Sequence, residues 1–181
     1  MNLKTQYQKE IVPKLKEKFN YDNIFLIPKI RKVVINVGFG RHNKDKAYIE
    51  NVEKTLIRIT GQKPVFTKAK KSISSFKIRE GMEIGASVTI RGKRMYDFID
   101  KLVNITMPRV RDFRGINPKS FDKSGNYTIG FKENIAFPEI KSDAIDQIHG
   151  LQVIINTTAN NKKEGYALLE KMGFPFKKDD K

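Results

Sequence analysis

The chain has 181 residues, with 36 Lys plus Arg, 20 Asp plus Glu, and no cysteine. That length suits one domain with a core that needs no staples, and the lack of cysteine excludes disulfides and thiolate metal sites. A formal charge of +16 repels itself in a folded chain and needs a polyanion partner or some other use; nucleic acid is the leading candidate, and a basic solubility surface is the plainer alternative.

No apolar run approaches the ~20 residues that span a bilayer. The start, MNLKTQYQKEIVPKLKEKF, is charged throughout and lacks the apolar centre of a signal peptide. A soluble intracellular protein is expected. From residue 3 to 19, Leu3, Tyr7, Ile11, Leu15 and Phe19 recur at i+4 and form one helical face. Pro13 predicts a kink or break near Val12. VVINV at 33–37 alternates as a strand, with Val33, Ile35 and Val37 on one side and Val34 and Asn36 on the other. A helix follows from about Lys44 to Thr60, with Ile49, Val52, Leu56 and Ile59 inward, and Gly61 ends it in the left-handed conformation. Pro64 to Thr67 is a short strand. Residues 68–84 hold Lys, Ser, Gly and Glu with isolated apolar residues, and read as a long loop or arm.

ASVTIR at 86–91 is a second clean strand, with Ala86, Val88 and Ile90 opposite Ser87, Thr89 and Arg91. The next helix turns Met95, Phe98, Ile99 and Leu102 inward and ends before Pro108. Residues 109–126 read as a second long basic loop. Strands follow at 127–132 and 151–158. The last helix starts at Asn161, with Glu164 in a capping-box position and Leu168, Leu169 and Met172 on its apolar face. Strands with one polar face imply an antiparallel sheet with helices packed on one side, an α+β class, in a single domain. The uncovered face presents Asn36, Ser87, Thr89, Arg91, Lys132, Gln152 and Asn156, a hydrogen-bonding surface.

The candidate chemistry is recognition, not catalysis. GFGRHNK joins a strand to a helix, but Asn43 stands where the third glycine of a dinucleotide fingerprint belongs, so a nucleotide cofactor is rejected. An RNA phosphate contact and a plain turn both stay open there. His42 and His149 lie apart, form no metal motif and read as surface or loop histidines. Asp97 and Asp100 sit among Arg94 and Lys101, which favours intrahelical ion pairs. Asp143 and Asp146 make a short acidic spot. The basic 68–84 segment beside a polar sheet face suits RNA: cations meet phosphates, and polar side chains meet 2′-hydroxyls and bases. Phe66 and Phe76 offer rings for stacking, although Phe66 on a strand is more often core. An RNA-modifying enzyme would need a convergent acid, base or metal set, and none is visible. A membrane-surface role for the first helix is weak, because Glu10 and Glu17 interrupt its lysines and the chain has no Trp.

LIRITGQKPVFTKAKKS, residues 56–72, resembles the signature of a known family. Leu56, Ile59, Thr60, Gly61, Gln62, Val65, Thr67, Ala69, Lys70 and Ser72 stand at its fixed steps. FNYDNIFLIPKIRKVVINVGFG, FKIREGMEIGASVTIRGKRMYDFIDKL, RVRDFRGI, GNYTIGFKENIAFPEI and GYALLEKMGFPF look like its other blocks. The family is bacterial large-subunit ribosomal protein number five, the 5S rRNA-binding protein of the central protuberance. Two places depart. Arg41 and His42 follow Gly40 where the family often has an acid, and a KKDDK tail follows Phe176.

The resemblance implies a structural protein without cofactor or catalytic site, cytoplasmic in the ribosome. It implies attachment of 5S rRNA to the large subunit, with 23S rRNA and other central-protuberance proteins as neighbours. Carried over by position, the 5S rRNA face is Asn36, Gln62, Thr89 and Arg91. The P-site tRNA loop carries Lys70, Lys71, Ser74, Lys77 and Arg79. The contact with a small-subunit head protein is Arg109, Arg111 and Arg114 with Asp143 and Asp146.

Overall fold

The first helical segment runs through Pro13 rather than breaking before it. In a computed structural model, which describes residues 2–140 and 148–177, α1 (Leu3–Gln6) passes into a π turn (Tyr7–Ile11) and then α2 (Val12–Phe19). The Val12 amide reaches back five residues to the Tyr7 carbonyl. A proline inside a helix has no N–H to give and crowds the carbonyl four residues back. Here the wider turn comes just before the ring, and Pro13 falls in the first turn of α2. The left-handed Asn20 closes α2 at φ 50°.

The same device recurs. The helix α4 (Gly92–Lys101) continues into a π turn (Leu102–Thr106), where the Met107 amide donates to the Leu102 carbonyl. Pro108 then sits inside a 3₁₀ turn, Met107–Arg109. The helical path therefore carries through Pro108 instead of stopping ahead of it.

The chain has an α+β fold built on a five-stranded antiparallel sheet. Its strands are β1 (Ile30–Gly38), β2 (Val65–Lys68), β3 (Glu83–Ile90), β4 (Tyr127–Phe131) and β5 (Leu151–Thr157), in the order β2-β3-β1-β5-β4. The remaining helices are α3 (Lys46–Thr60) and α5 (Lys162–Lys171). The alternation read from sequence appears in burial: Ile35, Val37, Ala86, Val88, Val153 and Ile155 are buried, while Thr89 and Gln152 are exposed and Asn36 and Asn156 half-buried. β2 and β3 pair Val65 with Ser87, Phe66 with Ala86 and Thr67 with Gly85, then slip one residue to pair Lys68 with Glu83.

The chain forms two compact units of interleaved segments. One comprises Met1–Val33, Ile90–Ile129 and Ile154–Lys181. Its core holds Leu3, Tyr7, Ile11 and Leu15 from the first helical face, Met95, Phe98, Ile99 and Leu102, and Leu168, Leu169 and Met172 from α5. The Tyr7 hydroxyl donates to the Pro28 carbonyl at 3.0 Å. Phe121, Tyr127, Tyr166 and Phe176 form an aromatic cluster, with Tyr166 and Phe176 centroids 4.6 Å apart. At the start of α5 the expected capping box is shifted. The Asn161 side chain accepts from the Glu164 amide, but Glu164 accepts from the Asn160 amide and the Asn161 side chain.

The other unit comprises Val34–Thr89 and Gly130–Val153. Val52, Leu56 and Ile59 of α3 are buried with Val37, Phe39 and Phe137; Ile49 is only half-buried. Residues 68–84 are more ordered than a plain loop. The Ala69 amide donates to Met82 at 2.8 Å, Gly81 donates to Ala69 at 3.0 Å, and Ile73 and Ile78 bridge around a 3₁₀ turn, Ser74–Phe76. The segment is a narrow hairpin arm with Lys77 left-handed at its tip, φ 54°.

Candidate RNA interface

The motif Thr60-Gly61-Gln62 shows how a helix end sets an interface residue. Gly61 adopts φ 65° and its amide closes back on the Ile57 carbonyl at 2.7 Å. The Thr60 hydroxyl donates to the Leu56 carbonyl at 2.7 Å and accepts from the Gln62 amide at 3.2 Å. One side chain thus ties the last helical turn to the departing strand, and Gln62 is left exposed.

In β1, Asn36 lies between buried Ile35 and Val37; in β3, Thr89 lies between buried Val88 and Ile90. The pleat therefore turns both polar side chains away from the buried face. Arg91 follows Thr89 by two residues, is exposed, and keeps an extended backbone at φ −138°, ψ 169° as the N-cap of α4. The alternation thus carries past the end of the strand. The structure places Asn36, Gln62 and Thr89 in one unit and Arg91 at the first turn of α4.

On the arm, Lys70, Lys71, Ser74, Lys77 and Arg79 are all exposed. The Ser72 hydroxyl accepts from the Glu80 amide at 2.9 Å and so braces the two sides of the hairpin. A cavity of about 820 Å³ opens here, with Ser74, Lys77 and Arg79 among its walls. Lys44, from the turn after Gly40, forms part of the same wall. The Phe39 amide donates to the Ile84 carbonyl at 2.9 Å, which ties the start of that turn to β3. The RNA phosphate contact left open at GFGRHNK thereby gains a neighbouring set of cations. Sequence spacing did not reveal it, because Lys44 and Lys77 are 33 residues apart in number.

Arg109, Arg111 and Arg114 are exposed on the segment after α4, where Asp112 turns left-handed at φ 53° and Gly115 at φ 95°. Asp143 and Asp146 lie outside the described residues. Asp97 and Asp100 meet amides: Asn2 donates to Asp97 at 3.5 Å and Asn104 to Asp100 at 2.8 Å. Phe66 is half-buried and edge-on to Phe39 at 6.3 Å, a core role, whereas Phe76 is 68% exposed. His42 is exposed and stacks on Tyr48 at 4.5 Å. His149 is not a surface residue: it is buried, edge-on to Tyr48, with Asn134 Nδ2 3.3 Å from its Nδ1. Its neighbours in sequence gave no periodicity from which burial could be read. Among the described residues, no group of three or more His, Cys, Asp or Glu could hold a metal ion, and no helix is long and apolar enough to cross a membrane.

Comparison with known proteins decides what such a chain is. A model of ribosomal protein L5 matches residues 23–79, and a model of the C-terminus of the same ribosomal family matches residues 83–176. The chain belongs to the ribosomal protein L5 family. It is 56% identical to the large ribosomal subunit protein uL5 of Halothermothrix orenii over 174 residues, 96% of this chain and 97% of that one. It is 53% identical to the protein so named in Symbiobacterium thermophilum over 175 residues, 97% of each chain. For Microcystis aeruginosa the identity is 54% over 97% of this chain and 98% of the relative. Membership makes the chain a structural, non-enzymatic constituent of the large ribosomal subunit, located in the cytoplasmic ribosome. The family is thus the one that LIRITGQKPVFTKAKKS resembles.

Proposed function

We propose that this L5-family protein binds 5S rRNA through Asn36, Gln62, Thr89 and Arg91 and so attaches it to the large subunit alongside 23S rRNA and other central-protuberance proteins. The observation that carries this is the pleat. Asn36 and Thr89 face away from a buried apolar side and put hydrogen-bonding groups on the sheet's other face. Such a face satisfies 2′-hydroxyls and base edges while nearby cations neutralise phosphates. The arm bearing Lys70, Lys71, Ser74, Lys77 and Arg79 reaches P-site tRNA. Its charges are exposed and so open to the phosphates of a partner. Arg109, Arg111 and Arg114 meet a small-subunit head protein across the subunit interface, together with Asp143 and Asp146.

The test is a gel shift against purified 5S rRNA, with tRNA as competitor, over a salt series. Neutralising roughly five to eight phosphates gives a slope of log K against log salt of about −4 to −7. A flat salt response would overturn the electrostatic part of the reading, and equal competition by tRNA would overturn the preference for 5S rRNA.

A further inference from the structure

A second surface has the composition of a nucleotide site. A groove of about 440 Å³ lies in the unit that contains both termini of the chain. Its apolar walls are Phe19, Pro118, Phe121 and Tyr166. Phe19 and Tyr166 are half-buried, so each keeps part of its ring accessible, while Phe121 is buried beneath. The rings pack on one another: Phe121 on Tyr127 at 4.5 Å and on Phe176 at 5.8 Å, and Phe176 on Tyr166 at 4.6 Å.

The rim is cationic. Lys18, Lys162 and Lys163 supply all the charge among the lining residues, and all three are exposed. Three acids adjoin lining residues in sequence, and none lines the groove. Glu17 is exposed on α2. Asp122 accepts from the Ser124 and Asn126 amides and the Asn126 side chain. Glu164 is buried and accepts from Asn160 and Asn161. Lys162 and Lys163 occupy the first two positions of α5, where the helix dipole disfavours cations and favours anions. Their placement costs the helix stability, and an anion bound between them and the amide end would offset that cost.

We propose that this groove takes an unpaired nucleotide of single-stranded RNA, its base on the Phe19 and Tyr166 rings and its flanking phosphates on Lys18, Lys162 and Lys163. An aromatic floor inside a cationic rim matches the two recurring parts of single-strand binding, stacking and backbone neutralisation. The groove shares no lining residue with the proposed 5S set, of which Asn36, Gln62 and Thr89 belong to the other unit and Arg91 to the same one. The inference rests on the reading of the chain as an RNA-binding protein and adds a second RNA contact to it.

The test uses the full chain with fluorescein-labelled hexauridylate and the same ribose-phosphate chain without bases, measured by anisotropy at several salt concentrations. The wild type binds hexauridylate about 5- to 150-fold more tightly than the abasic chain, the range for one stacked base. Tyr166→Leu, which keeps apolar volume but loses the ring, brings that ratio close to one. Lys162→Ala with Lys163→Ala reduces the salt slope by about 1.4, the single-strand value for two phosphates. A hexamer carrying 4-thiouridine cross-links to the peptides that hold Phe19 or Tyr166. An unchanged ratio in a folded Tyr166→Leu protein, or cross-links confined to other peptides, overturns the proposal. Displacement of hexauridylate by a lower concentration of hexaglutamate also overturns it, in favour of an acidic protein segment. The 5S gel shift separates the two claims: Tyr166→Leu leaves it unchanged, and its failure in the wild type would remove the 5S reading without touching the groove measurement.

Discussion

Thr67 and Gly85 stand opposite each other on β2 and β3, and a methyl group on Gly85 would lie 2.8 Å from the Thr67 hydroxyl and 3.0 Å from the Val37 carbonyl oxygen. The strand pairing that launches the basic arm therefore depends on the absence of a side chain at one position. Gly85→Ala should destabilise the fold by about 1–3 kcal/mol, the usual cost of overpacking. Adding Thr67→Ala should recover only part, because the Val37 oxygen is backbone and cannot rotate away. Urea denaturation of the three variants measures this. Wild-type stability in Gly85→Ala would mean that the strands separate at little cost.

Thr89→Val preserves shape and β-propensity and removes one hydroxyl. Thr89 is exposed, so the melting temperature should hardly move. Affinity for 5S rRNA should fall by about 1–3 kcal/mol, the cost of leaving an RNA polar group without its partner. The 5S gel shift reads this directly, and unchanged affinity would show that the face points elsewhere.

The arm and the helix stop should fail differently. Lys70→Ala, Lys71→Ala and Lys77→Ala together remove charges on exposed residues, so folding and most 5S affinity should survive while retention of P-site tRNA in assembled ribosomes weakens. Gly61→Val places a β-branched residue at φ 65°, a strain of roughly 1–2 kcal/mol or more. It should lower melting temperature and 5S binding together. Equal loss of 5S binding in both variants would contradict the division of labour.

Alkaline pH should unfold the protein through its phenols. Burial pushes Tyr127 up to about 12, a hydrogen bond from Ser120 partly opposing it, and burial with the nearby Glu164 carboxylate pushes Tyr21 up to about 12. Burial also raises Tyr7, Tyr48 and Tyr96. A phenol whose pKa is raised on folding contributes its stability below the unfolded value near 10, and loses it as pH climbs towards the folded value. The melting temperature should therefore drop between about pH 10 and 12. In a stopped-flow titration at 295 nm, the buried phenols should ionise at the unfolding rate. Immediate ionisation of every tyrosine near pH 10, with circular dichroism unchanged, would refute it.

Local physics alone made much of this protein legible. The period of two in VVINV and ASVTIR, and the period near four in the first helix, mark which side chains are inside because a strand or helix imposes its own geometry on any sequence that buries one face. The helix stop at Gly61 was equally plain, since an αL position after a helix selects glycine, and the family signature at 56–72 spans that same stop. The prolines were legible only in part: they marked where the helices become irregular but not that they continue. Pro13 and Pro108 lack an N–H wherever they stand, but the register can widen by one residue ahead of them when the surrounding helix is held by packing at Ile11, Leu15, Leu102 and Met107. Tertiary structure also decided what no spacing encodes. It buried His149 beside Tyr48 and Asn134, brought Lys44 to the wall of the arm's cavity, and gathered Phe19, Phe121 and Tyr166 under Lys18, Lys162 and Lys163. Those groupings join residues tens to more than a hundred positions apart. Only the closure of the chain around its core sets such distances, whereas periodicity acts over the few residues of a single helix or strand.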